Sequence, residues 1–366
     1  MGRLVAYISP VEPILLSDIL ITPYHAVCKQ IADKYPHYIL PHYDQYPIGT
    51  PVNPVARLMG IRNAVLSKDG IGVSWYTDAA SHSSTKIIGP RPVQYRVPGL
   101  PINDYNFISL CQNTETRALF AHVHPKDEDT ENPANTQPFV FGRHTFMHSG
   151  CIASFEKIKQ LVCKKLHLDA FFNIQGTTDS EHLAALYMTN LTQIRGGGQS
   201  TWQESYPLQE MVDAVTKTVC DIMTLQLQAL GKEDMTPSDF NICITDGEKL
   251  VAIRFRNDDT EEPRYLYWSN SVGPDLNHKF ERPRRDAADV RDTVNHDAMV
   301  DRDVRKAKYV IVSSQPVTFH EKGWRLVGKN CGLAVDELGN VNEFPVRLDT
   351  GVDALGPSIS GQDGVR

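Results

Sequence analysis

Several features that would place a chain quickly are scarce here. The seven cysteines are odd in number, scattered, and include no Cys-x-x-Cys pair. That argues against a disulfide framework or a zinc site and fits reduced thiols in a cytoplasmic protein. No run approaches the roughly 20 apolar residues that span a bilayer. The first residues lack the basic and then apolar segments of a secretory signal. Gly2 raises the question of N-myristoylation, but Ala6 stands where that motif needs Ser or Thr. Positive charge is in deficit, with a net charge of −7, so nothing favours binding to a phosphate backbone. The basic stretches at 282–285 and 302–308 are interleaved with Asp and read as solvated faces. Neither a nucleic acid nor a membrane is therefore expected as a partner.

What remains is an ordinary globular composition, 41% hydrophobic and 22% charged over 366 residues, long enough for a substantial core. Short β-branched runs bounded by turn signals predict strands at Leu4–Ile8, Ile71–Tyr76, Ala118–Val123, Asn241–Thr245, Leu250–Phe255 and Tyr309–Ser313. Helical periodicity is clearest over Leu208–Leu230, where Met211, Val215, Val219, Ile222 and Met223 share a stripe and Gly231 supplies a stop. Further helices are expected over 154–166 and 181–191, the latter capped by Asp179 or Ser180. Helices and strands do not alternate regularly, so a doubly wound sheet is disfavoured and a layered α+β architecture expected. Segments 126–135 and 257–303 read as loops, the second dense in charge. Residues from about 349 onward read as a disordered tail.

Chemistry-bearing groups recur in a fixed order. The chain opens Met1-Gly2-Arg3. There follow Asp69-Gly70-Ile71-Gly72, Ala121-His122-Val123-His124, Phe146-Met147-His148-Ser149-Gly150 and Thr177-Thr178-Asp179-Ser180-Glu181. Later come Ile244-Thr245-Asp246-Gly247-Glu248, Tyr267-Trp268-Ser269, and Trp324 with Lys329-Asn330. In this order and spacing the motifs resemble the class II glutamine amidotransferases. They are most like the branch holding the fungal glutathione-degrading subunit and the ergothioneine-pathway amidohydrolase. The resemblance implies a four-layer αββα sandwich of the N-terminal nucleophile hydrolase type. It implies one domain over 2–346 with a charged insertion at about 257–303, and a tail over 347–366. No cofactor and no metal are implied.

That family reads Met-Cys-Arg at its start, removes the Met, and attacks an amide with the exposed thiol while the free α-amine acts as base. Here residue 2 is Gly2, which offers the amine without a nucleophilic side chain. By the same resemblance Ser149 stands where an Asn helps hold the oxyanion, beside Gly150. His124 stands where an Arg forks the substrate carboxylate, and Gln137 falls where the branch has His. Asp179, the ligand for a substrate ammonium, is kept, as are Arg3, Asp69 and Gly70. Four departures clustered at one pocket point to natural divergence rather than a deliberate change of the nucleophile alone. The expected catalytic positions are thus Gly2, Ser149 and Gly150. The expected substrate contacts are His124, His148, Asp179, Arg3, Asp69 and Gly70.

Plainer readings stand beside these. Cys151 is expected as a small buried hydrophobe at a strand end rather than a relocated nucleophile. Ser149 reads as a turn hydroxyl; His148 or His124 would have to be its base, and no triad spacing is visible. His122, His124, His144 and His148 are expected as hydrogen-bonded core or rim groups before metal ligands. Gly196-Gly197-Gly198 lacks the context of a phosphate loop, and Trp75, Tyr76 and Phe146 are expected in the core. Three functions remain open. The first is an enzyme on an amide- or amine-bearing small molecule. The second is a γ-glutamyl amide hydrolase lacking its nucleophile, and the third a non-catalytic partner subunit. The expected partner is an amide or amino-acid-like small molecule, with a partner subunit or homo-oligomer left open.

Overall fold

The computed structural model describes residues 2–23, 25–29, 70–83, 87–97, 99, 104–124, 132–277, 309–318 and 323–348. In chain order the strands are β1 (Arg3–Ile8), β2 (Ile14–Leu15), β3 (Gly70–Thr77), β4 (Arg91–Val97), β5 (Glu115–Thr116), β6 (Ala118–His124), β7 (Phe139–Phe141) and β8 (His144–Cys151). Then come β9 (Asp239–Thr245), β10 (Leu250–Arg256), β11 (Tyr267–Ser269), β12 (Val310–Ser313), β13 (Arg325–Leu326), β14 (Cys331–Val335) and β15 (Val341–Pro345). Seven form one sheet in the order β13-β11-β12-β1-β6-β3-β4, and six form another in the order β15-β14-β10-β9-β8-β7. The pairings are antiparallel, as hairpins and short returns allow.

Alternation along the strands makes the layers. On β1, Leu4, Ala6 and Ile8 join Phe120, Met147, Cys243, Ala252 and Leu333 in a core between the two sheets. Val5 and Tyr7 point the other way, toward the helices Leu16–Leu20 and Tyr105–Asn113. The outer face of the six-stranded sheet carries Phe146, Phe240, Ile242 and Ile253 against Phe155–Lys165, Asp179–Thr192 and Leu208–Leu230. The result is the α+β αββα sandwich, with both sheets covered twice. Each fully buried Leu, Ile, Val or Phe contributes roughly 1.5–3 kcal/mol, so both sheet faces must be apolar, and they are.

The periodic helix ends where its pattern does, at Leu230, with Gly231 at φ 74°. The helix after Gly176 differs from expectation at its start. Thr178 is its cap, its Oγ1 accepting from the Glu181 amide at 3.2 Å, while Asp179 and Ser180 lie in the first turn. Both are thereby free to bond elsewhere. The segment expected as a charged loop is not one throughout, because β11 pairs with β12 and β13 inside the larger sheet. Its remainder at 278–303, and the tail from 349, lie outside the described residues. Cys151 is exposed rather than buried: it ends β8 at the margin of the sandwich, where the core between the sheets has run out. Trp75, Tyr76 and Phe146 are buried as expected. All seven cysteines are free thiols.

Candidate functional site

The site lies where β1 begins, at the end of the space between the sheets. On β6 the period of two turns His122 and His124 to that side, their rings stacked at 6.2 Å between centroids. Both are flanked by positions without side chains. Gly72 sits directly across from His122 and Gly70 across from His124. A Cβ on Gly70 would lie 2.7 Å from the His124 ring, and a Cβ on Gly2 would lie 2.7 Å from Cε1 and Nε2 of His122. The imidazoles thus occupy space that side chains at residues 2 and 70 would claim. His122 is 3% exposed, and neither of its ring nitrogens has a hydrogen-bond partner among the described residues. Burial, then the neighbouring His124 and His148, pushes its pKa down to about 3, so the ring is neutral at physiological pH.

At this point the second sheet is tied to the first by the Ser149 hydroxyl, which donates to the carbonyl of Gly2 at 2.8 Å. Ser149 faces inward on β8, so its neighbours His148 and Gly150 cannot. Gly150 abuts β9 so closely that a Cβ would stand 2.0 Å from the Asp239 carbonyl oxygen. His148 points to the helical side, where Nδ1 meets the Ser180 hydroxyl at 2.9 Å and Nε2 meets the Asp239 carbonyl at 3.1 Å. Burial lowers its pKa, with the nearby Asp179 opposing. One Asp179 carboxylate oxygen accepts the Ile152 amide at 2.9 Å and the other accepts the Ser180 hydroxyl at 3.1 Å.

Of the residues singled out from sequence, Gly2, Gly70, His124, Ser149 and Gly150 come together at this end of the sandwich. His148 does not, because strand alternation turns it outward onto Ser180. Arg3 lies on the Val5 and Tyr7 side of β1, away from the His122 face. Asp69 lies outside the described residues. The four histidines are split between layers: His144 faces outward like His148, bonded to the Glu204 carbonyl at 3.1 Å and pushed down by burial to about 4. Among the described residues no group of three or more His, Cys, Asp or Glu side chains could hold a metal ion.

Two residues matter more than the sequence reading gave them. Gln137 is a clamp: its Nε2 donates to the His148 carbonyl at 2.8 Å, and its Oε1 accepts the His148 amide at 2.7 Å. Its own carbonyl oxygen would lie 1.8 Å from a Cβ on Gly72. A signal for this was present, since Gly70-Ile71-Gly72 inside a strand marks close backbone approach. The other residue is His122, which the sequence left as an ordinary core histidine.

The chain is 25% identical over 326 residues to the probable glutamine amidotransferase DUG3 of Saccharomyces cerevisiae, covering 88% of this chain and 79% of that protein. A glutamine aminotransferase class-II domain protein from Silicibacter pomeroyi has a similar structure, with a TM-score of 0.53 and 15% identity over 94% of this chain and 99% of its own. The allosteric regulatory enzyme of purine biosynthesis aligns with a TM-score of 0.50 and 11% identity, covering 95% of this chain and 50% of its own. At such identities the two structures speak for the fold. No protein-family model matches the chain.

Proposed function

We propose that this chain, a class II glutamine amidotransferase-like protein with the N-terminal nucleophile hydrolase fold, handles an amide- or amine-bearing small molecule in a pocket that works without a side chain at residue 2. The likeness to a probable glutamine amidotransferase supports a general amidotransferase or amidohydrolase function; the substrate class is the proposal. The observation that carries it is the Ser149 bond to the Gly2 carbonyl at 2.8 Å, with Gly150 adjoining. The first residues are held at the mouth of the sandwich although the thiol is missing.

The chemistry then belongs to the backbone. Once Met1 is removed, the Gly2 α-amine accepts a proton from a bound ammonium or water, or condenses with a carbonyl to an imine with release of water. In this reading the Gly150 N–H faces a developing oxyanion. Asp179 keeps lone pairs for a substrate ammonium beyond its bonds to Ile152 and Ser180. No acyl-enzyme forms on residue 2. The family's use of glutamine is also weakened, since His124 replaces an Arg fork and Ser149 an Asn donor. Each such loss is typically worth about 2–4 kcal/mol of binding or barrier.

A specific observation favours a second reading, a non-catalytic partner subunit. Both oxygens of the Asp179 carboxylate already accept hydrogen bonds within the chain, from the Ile152 amide and the Ser180 hydroxyl. The test measures intact mass, to see whether Met1 is gone, and ammonia release from glutamine and γ-glutamyl amides. It also looks for borohydride-trapped adducts with small aldehydes and ketones. Ammonia release or an adduct mapped to Gly2 supports the first reading. With Met1 removed, inertness in both assays overturns it in favour of the second. A retained Met1 excludes the free Gly2 amine and overturns the first reading directly.

A further inference from the structure

A cleft of about 400 Å³ opens in the helical layer over the six-stranded sheet. Its walls come from the end of Phe155–Lys165, the helices Asp179–Thr192 and Leu208–Leu230, and the loop at Gly196-Gly197. Asp179 opens the helix that Asn190 nearly closes, so the cleft and that first-turn carboxylate lie about 16 Å apart along it. Small-molecule sites commonly span roughly 300–1,000 Å³. Within the cleft Asp221 is held by Lys165 at 2.9 Å on one oxygen, and by Lys217 at 2.9 Å and Asn190 Nδ2 at 3.1 Å on the other. Burial pushes its carboxyl up, but these donors outweigh that and hold it below the usual carboxylate range. One carboxylate thus faces two exposed ammonium groups, leaving positive charge locally in excess in a chain of net charge −7. An ammonium has three donors. Each of these gives one to Asp221 and meets no other acceptor among the described residues.

A further donor is His167. Its Nδ1 accepts from the Asp169 amide at 3.2 Å, so the proton of the neutral ring sits on Nε2, which has no partner among the described residues. Gly197, at φ 67°, lies against this ring, and a Cβ there would stand 2.5 Å from it. Only glycine lets the loop close this wall of the cleft. Leu166 and the buried Leu186 line it with apolar surface. An ordinary surface ion pair accounts for one lysine on Asp221. It does not account for a second ammonium on the same carboxylate, beside an imidazole donor and an open apolar lining. We propose that this cleft binds a small organic anion, with an anionic oxygen head on Lys165 and Lys217, an apolar body over Leu166 and Leu186, and an acceptor on His167 Nε2–H. Carboxylates and phosphate esters share that head. The site is separate from Gly2 and stands or falls without the amide-handling reading.

The test titrates the full chain labelled with 15N-histidine, the His167 ring signals being assigned by their loss in His167→Gln. Benzoate and phenyl phosphate present the two heads on one apolar body. Benzamide carries the body without the charge, and inorganic phosphate the charge without the body. A saturable shift of His167 Nε2 with benzoate or phenyl phosphate, and none with benzamide, is expected, and the tighter of the two anions identifies the head. Lys217→Gln weakens that binding about fivefold, the worth of one exposed charge contact. Lys165→Gln combined with Lys217→Gln abolishes it, since Asp221 then faces the anion alone, while Lys217→Arg retains it. Thermal midpoints of these variants stay within a few degrees of the parent, because exposed ion pairs contribute little to stability, so a lost response is not a lost fold. The site is overturned by no saturable response to either anion, by an equal response to benzamide, or by undiminished binding in the double variant. Inorganic phosphate binding as tightly as phenyl phosphate overturns the apolar half of the assignment.

Discussion

Two buried histidines on neighbouring sheets, His148 and His122, behave in opposite ways. His144 and His148 on β8 face the helices, and each ring meets a carbonyl or hydroxyl there. His122 and His124 on β6 face the space between the sheets, against Gly2, Gly70 and Gly72, and the His122 nitrogens meet no hydrogen-bond partner among the described residues. Residue type and burial are the same. The difference is in what the next layer brings: the helical layer supplies polar partners to His148, whereas the space between the sheets supplies none to His122 among the described residues. A buried imidazole with partners is a structural tie.

The largest effect that would sharpen this contrast comes from Gly150→Ala. Its Cβ would stand 2.0 Å from the Asp239 carbonyl, which is backbone and cannot swing aside. Gly150↔Phe240 is a register pair of β8 and β9. The substitution is expected to cost more than about 3 kcal/mol or to abolish soluble protein. Circular dichroism melting decides it. A Gly150→Ala protein with an unchanged melt would mean that the close β8–β9 approach is not real.

Next in size is the pair itself. His148→Leu leaves Ser180 and the Asp239 carbonyl without their partner and should lose roughly 2–3 kcal/mol in urea denaturation. His122→Leu removes a group that makes no hydrogen bond among the described residues, so it should be within about 1 kcal/mol of the parent. Equal losses at the two positions would erase the distinction drawn between the two rings.

Acid separates the groups further. His122 and His144 have folded pKa values of about 3 and about 4, both below the 6.5 of an unfolded imidazole. Between those limits the unfolded chain binds protons that the folded chain refuses. Stability is therefore present above pH 6.5 and is lost as pH falls toward 4, at up to about 1.4 kcal/mol per pH unit for each ring. Asp246 titrates lower. Burial pushes its carboxyl up, but Lys249, His144 and Arg143 outweigh that and hold it at about 2, so its contribution is present above about 3.8 and fades only below. Urea midpoints at pH 7.5, 5.5 and 4.5 should fall less steeply in His122→Leu than in the parent. Parallel slopes would show that His122 is not the neutral, buried group described.

The smallest effect concerns the helix that brings Ser180 and Asp179 to the outer pair. Thr178→Ala removes the cap on the Glu181 amide and should cost about 1 kcal/mol. If the cap matters to that placement, the 15N signal of His148 should move while that of His122 stays in place. Movement of both would show that the two faces are coupled through β8.

Much of the scaffold was legible without coordinates. The stripe from Leu208 to Leu230 marks a helix with those bounds, because a repeat near 3.6 residues and a closing glycine are local properties. The strands at 4–8, 71–76, 118–123, 241–245 and 250–255 emerge close to their expected limits for the same reason. The order of motifs pointed to the αββα sandwich, and the missing side chain at Gly2 could be read from one letter. Sequence also shows that residues 122, 124 and 147, 149 alternate with their neighbours on two faces. It does not say which layer covers each face, because that depends on strands more than a hundred residues apart. Only the tertiary structure turned His148 onto Ser180, committed Ser149 to the Gly2 carbonyl, left Cys151 at an exposed margin, and set the His122 ring where residue 2 has no side chain. Periodicity is a property of the local chain, whereas a hydrogen-bond partner, or the lack of one, is supplied by whatever packs against it.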